Sequence, residues 1–125
     1  MAFWEIDHDE KPDVFIDNHT SNGADYQYTI TLISSQKDKQ DFGVKKYMEK
    51  MLPLIEAEME KSGEEICPYV NVHGKAMEDE IIAFFESPRY STGYTTLWGT
   101  FSFVAAAHIL KPFEDRVMAT HNLME

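Results

Sequence analysis

A chain of 125 residues, 43% hydrophobic and 13% aromatic, is long enough to fill one core and too apolar for a disordered segment. Its formal charge of −11, from 22 acidic against 11 basic side chains, repels phosphate backbones and argues against a nucleic-acid partner. No apolar run reaches the roughly 18 residues that cross a bilayer. Met1 to Glu10 has neither the basic start nor the apolar stretch of a secretory signal, so no membrane partner is expected and the location stays open.

The chain reads as a single domain over residues 1–125, with no repeat, linker or low-complexity tract. Acidic side chains cluster at Glu5–Glu10, Glu56–Glu65 and Glu78–Glu80, where solvated faces that aid solubility are the expectation. Cys67 stands alone, so it forms no internal disulfide and reads as a small buried hydrophobe.

Asp13 to Asp17 follows Pro12 as a short apolar run and predicts a buried strand, with Asp17 to Thr20 at its carboxyl end. Ser21-Asn-Gly23 is a turn signal. Tyr26 to Ile33 is rich in Thr, Tyr and Ile and predicts a second strand. Asp41 to Ser62 predicts a helix. Val44, Tyr47, Met48, Met51, Leu52, Ile55 and Met59 fall on one stripe, with Asp41 to cap the start and Gly63 the end. Pro53 inside it should kink or divide the helix.

Further strands are predicted at Ile66 to Val72, Ile81 to Phe85 and Phe101 to Ala105, with a loop over Ser87 to Tyr94. Pro112 opens a last helix with Phe113, Val117, Met118, His121 and Met124 on one face. Strands alternating with helices predict an α/β fold with a mixed, mainly parallel sheet flanked by helices. In such sheets chemistry gathers at the carboxyl ends of strands.

Two segments carry candidate chemistry. His19 follows the first strand, where a neutral imidazole can bind a metal and Asp17 or Asn18 can orient it. The other histidines, at 8, 73, 108 and 121, form no His-x-x-Glu or His-x-x-x-His pair. The loop Ser87 to Tyr94 combines Arg89, two phenols (Tyr90 and Tyr94), the hydroxyls of Ser91 and Thr92, and Gly93 as a flexible point. Arg89 can fork onto a carboxylate, and Tyr90 or Tyr94 can donate to a developing oxyanion. No Ser or Cys sits in a nucleophile motif and no glycine-rich phosphate loop occurs.

Three runs in order, Pro12-Asp-Val-Phe-Ile-Asp-Asn-His-Thr-Ser-Asn-Gly23, Ser87-Pro-Arg-Tyr-Ser-Thr-Gly-Tyr94 and Phe101-Ser-Phe-Val-Ala-Ala-Ala-His-Ile-Leu-Lys-Pro112, resemble the zinc metallocarboxypeptidases, in particular bacterial branches of that family. The resemblance extends from about Phe3 to the C-terminus and to the C-terminal part of the catalytic domain. It implies hydrolysis of C-terminal peptide or amide bonds with a zinc cofactor, and members that are often exported. His19 matches the family's later zinc-ligand histidine. Arg89, Ser91, Thr92 and Gly93 would line the substrate pocket, and Tyr90 or Tyr94 would match the mobile tyrosine. The family's general-base glutamate falls at about Ala106, within Ala105-Ala106-Ala107. The upstream His-x-x-Glu and the carboxylate-binding arginines have no match. A domain that is inactive as written, partial relative to the family, is therefore the expectation. The alternatives are a non-catalytic module for a peptide or cell-wall fragment and an unrelated acidic interaction domain. Missing strands would leave a sheet edge that homo-oligomerisation would cover.

Overall fold

The fold is organised by one strand whose seven residues, Phe101-Ser-Phe-Val-Ala-Ala-Ala107, are all buried. The computed structural model describes residues 3–21, 23, 25–72 and 81–125. His73, the acidic Glu78–Glu80 cluster and Asn22 of the predicted turn lie outside the described residues. The elements are α1 (Phe3–Glu10), β1 (Val14–Thr20), β2 (Ile30–Ser34), α2 (Phe42–Lys61), β3 (Ile66–Pro68), β4 (Val70–Val72), β5 (Ile81–Ala83), α3 (Ser91–Thr95), β6 (Phe101–Ala107) and α4 (Phe113–Met124).

Four strands form one sheet in the order β1-β6-β2-β3. β1 runs parallel to β6 and β3 parallel to β2, while β2 and β6 are antiparallel. The protein is therefore α/β with a mostly parallel mixed sheet. β4 and β5 pair separately as a small antiparallel ribbon. The single strand predicted over Ile66 to Val72 is thus two strands in two sheets. β2 starts at Ile30 and not at Tyr26, and β6 runs two residues beyond the predicted Ala105, to Ala107.

Side chains alternate across the sheet. Ile16, Ile30, Leu32, Phe101, Phe103 and Ala105 face the helices, where Met48 and Met59 of α2 and Ala119 of α4 complete the core. Thr31, Ile33, Ser102, Val104 and Ala106 alternate with these and face the other side. A strand flanked on both sides and covered on both faces excludes water from every residue, which is why β6 carries small and apolar side chains throughout.

α2 matches its predicted stripe. Asp41 Oδ1 accepts from the backbone N–H of Gly43 at 2.8 Å and of Val44 at 3.0 Å. At the far end Gly63 takes φ 87°, and the N–H groups of Gly63 and Glu64 close onto the carbonyls of Glu60 and Met59. Pro53 does not divide the helix. The helix runs unbroken from Phe42 to Lys61, with Pro53 exposed.

α4 differs from its expected face. Phe113, Val117, Met118 and Met124 are exposed, while Ala119 is buried and Leu123 packs beside it. The methyl of Ala119 lets the helix backbone approach Ile30 and Ala105 closely, and the bulkier residues are left outside. Cys67 is only half-buried.

Truncating Met48, which is 0% exposed, to Ala should cost about 2–5 kcal/mol of stability, whereas Met124→Ala, 51% exposed, should cost under about 1 kcal/mol. Urea unfolding of both variants checks this, and equal costs would contradict the assigned α2 and α4 faces.

Candidate functional site

β1 reaches further than the expected Asp17. Pairing with β6 carries it through Asn18, His19 and Thr20, opposite Ala105, Ala106 and Ala107. In a parallel pair, partners project to the same face, so His19 and Ala106 stand side by side about 5 Å apart in the hydrogen-bonding direction. Asp17 and Val104 occupy the same face two residues earlier.

That face opens into a cleft of about 500 Å³ lined by Asp17, His19, Thr20, Ser21, Ile33, Tyr69, Phe84, Arg89, Tyr90, Ser91, Thr92, Val104 and Ala106. The size falls within the range of small-ligand sites. The cleft thus brings together His19, Arg89, Tyr90, Ser91, Thr92 and Ala106 from three separated stretches of chain. Gly93 and Tyr94 are not among its lining residues. Tyr94 packs edge-on to Trp98, with ring centroids 6.3 Å apart, which leaves Tyr90, of the two candidate tyrosines, lining the cleft beside Tyr69.

The predicted loop over Ser87 to Tyr94 is a turn followed by the short helix α3. Tyr90 N–H donates to the Ser87 carbonyl at 2.9 Å, and the Thr95 hydroxyl donates to Ser102 Oγ at 2.7 Å, which ties α3 to β6. Gly93 is buried, and it serves close packing, not flexibility. A Cβ there would lie 2.1 Å from the Ser87 carbonyl oxygen. Gly93→Ala should therefore push the Ser87–Arg89 turn away from α3, lowering stability by about 1–3 kcal/mol. A chemical-denaturation midpoint unchanged by the substitution would contradict this close approach.

Hydrogen bonds fix the polar side chains. Asp17 Oδ1 holds His19 Nδ1 at 2.9 Å, and Asp17 Oδ2 accepts from the Ser91 hydroxyl at 2.7 Å. Asp17 thereby joins β1 to α3 and leaves the other ring nitrogen of His19, whose side chain is 63% exposed, to the solvent side. Arg89 is exposed and has no ion-pair partner among the described residues. The Thr92 hydroxyl is buried with no hydrogen-bond partner among them. Stacked and edge-on contacts link His108, Tyr26, Tyr69, Phe84 and Tyr90 into one aromatic row, three of whose rings line the cleft.

Zinc does not fit this donor set. A catalytic zinc takes three protein ligands and keeps one open position. No group of three or more His, Cys, Asp or Glu side chains is gathered among the described residues. Asp17, the acid beside His19, already holds His19 and Ser91. Comparison of the chain with protein families, with curated proteins and with solved structures finds no match.

Sequence reasoning missed Tyr69, Phe84, Asp17's tie to Ser91 and the buried Glu86. Glu86 is 1% exposed and its carboxylate accepts from Gln36 N–H. Burial pushes its carboxyl up from the usual carboxylate range, offset in part by that hydrogen bond and by Lys39. A carboxyl raised in the folded state contributes stability below its unfolded value near 4.5 and loses it as pH rises through the folded value. Glu86→Gln, which keeps an acceptor for Gln36, should be more stable than wild type at pH 7, with the gap closing at pH 4. Melting scans at both values check the sign, and a gap that widens on acidification would reverse it.

Proposed function

We propose that the chain is a zinc-carboxypeptidase-like domain whose cleft, as it stands, holds the carboxyl end of a peptide without cleaving it. The observation that carries this reading is the juxtaposition of His19 and Ala106 on neighbouring strands within the cleft that also contains Arg89 and Tyr90. Arg89 has no ion-pair partner among the described residues, and its planar fork suits a terminal carboxylate. Tyr69, Phe84 and Tyr90 supply an apolar wall for the last side chain, and the orphaned Thr92 hydroxyl supplies a donor or acceptor for the last amide.

Peptide hydrolysis needs a group that takes a proton from water as it attacks the carbonyl. A methyl stands at 106, where the resemblance places that carboxylate. His19 takes the position of one zinc ligand, and the cleft's described residues do not complete the set. The parent reaction, cleavage of a C-terminal peptide or amide bond, is thus reduced to its recognition step.

Titration calorimetry with N-acetyl dipeptides ending in an aromatic residue tests this. The free acid should bind at least about tenfold more tightly than its amide, and Arg89→Ala should remove that preference, a change of about 1.4 kcal/mol or more. Chelator should leave the affinity unchanged. Equal affinity for acid and amide would refute carboxylate recognition.

A further inference from the structure

We propose that Ser21 is a nucleophilic hydroxyl with His108 as its general base, and that it accepts acyl groups from small activated esters entering the cleft. The idea does not depend on carboxylate recognition by Arg89.

The two residues stand 87 positions apart, and the fold brings Ser21 Oγ to 2.8 Å from His108 Nδ1. Each is pinned by its backbone: Ser21 N–H donates to the Ala107 carbonyl at 2.9 Å, and His108 N–H to the Thr29 carbonyl at 2.9 Å. Ser21 is partly exposed and lines the cleft, while the imidazole behind it is 0% exposed. The Tyr26 ring stacks on that imidazole at 4.1 Å between centroids. Ser21 is thus the face of the pair that a ligand in the cleft meets.

The proton positions follow from the chain of bonds. The Thr31 hydroxyl donates to the Ala106 carbonyl at 3.5 Å, and a carbonyl can only accept. With the Thr31 proton on that carbonyl, Thr31 Oγ1, 3.2 Å from His108 Nε2, is left to accept, and in that arrangement Nε2 carries the hydrogen. That leaves Nδ1 bare and makes the Ser21 hydroxyl the donor. This is the protonation state a general base needs. Burial, with the charge of Lys111 assisting, holds the imidazole below its ordinary range and keeps it neutral near pH 7.

In the reaction, Ser21 Oγ forms a bond to the acyl carbon as its proton passes to Nδ1. The bond from acyl carbon to leaving oxygen breaks, and the leaving group departs with that proton. Water then attacks the acyl-serine, its proton passes to Nδ1 and returns to Ser21 Oγ, and a free carboxylic acid is released; this alkyl ester has a poorer leaving group than an aryl ester, so the second step is the slower one and the acyl-serine accumulates. The base is oriented by a threonine and not a carboxylate, so the imidazolium is weakly stabilised. The substrate class is accordingly esters with good leaving groups, such as aryl esters, and not amides.

The test is p-nitrophenyl acetate followed by intact-mass and peptide mapping. One acetyl adduct is expected, on Ser21, absent in Ser21→Ala and formed at least tenfold more slowly in His108→Gln. Removal of an exposed imidazole by His121→Ala should leave the rate unchanged. Because His108 is buried, Ser21→Cys provides a second reading that keeps the base. Its alkylation by iodoacetamide at pH 7 should be at least tenfold faster than that of the double variant Ser21→Cys with His108→Gln. Absence of an adduct at Ser21, equal labelling of Ser21→Ala, or equal alkylation of the single and double cysteine variants would each overturn the proposal.

Discussion

The structure depends on β6 being hydrogen-bonded along both edges, parallel to β1 on one side and antiparallel to β2 on the other. A strand in that position has no access to water, so each of its side chains must be apolar, small or fully partnered. Phe101, Phe103 and Ala105 meet that demand against α2 and α4. Ser102 meets it through Thr95 and the Thr92 carbonyl. Val104 and Ala106 meet it by lining the cleft, and the same register that seals the core sets His19 beside Ala106.

The methyl at 106 keeps the end of β6 small and neutral beside His19, and the titratable and charged side chains lining the cleft include Asp17, His19 and Arg89. Aromatic rings from Tyr69, Phe84 and Tyr90 and the exposed guanidinium of Arg89 give the cleft an apolar wall beside a cation. The cleft's edges are held by short contacts, namely Asp17 with Ser91, Gly93 against Ser87, and Thr95 with Ser102. Such a site is organised before a ligand arrives.

The pair Ser21–His108 belongs to the same strand ends but to different physics. His108 leaves β6 directly after Ala107, and Ser21 leaves β1 directly after Thr20, so parallel pairing alone brings them together. Burial that would be a cost to a charged imidazole becomes a means of keeping it neutral, with the Thr31 hydroxyl 3.2 Å from its Nε2. The cleft therefore presents two separable sets of groups, Arg89 with its aromatic wall and the hydroxyl–imidazole pair.

Local patterns in the chain were sufficient for α2, with its Met48-to-Met59 stripe, its Asp41 cap and its Gly63 stop, because spacing and capping act over a few residues. They were also sufficient for the α/β alternation and for the two segments that line the cleft. They misjudged α4, where the choice between Phe113 and Ala119 as the inward face depends on how closely a helix can approach a sheet. They read Gly93 as a flexible point, since the Ser87 carbonyl that crowds it is placed by a turn no composition reveals. Which tyrosine faces the cleft, and that His108 meets Ser21, were decided only by tertiary structure. The first follows from the turn into α3 and the packing of Tyr94 on Trp98, the second from strand register, and neither contact leaves a periodic or compositional trace in the chain.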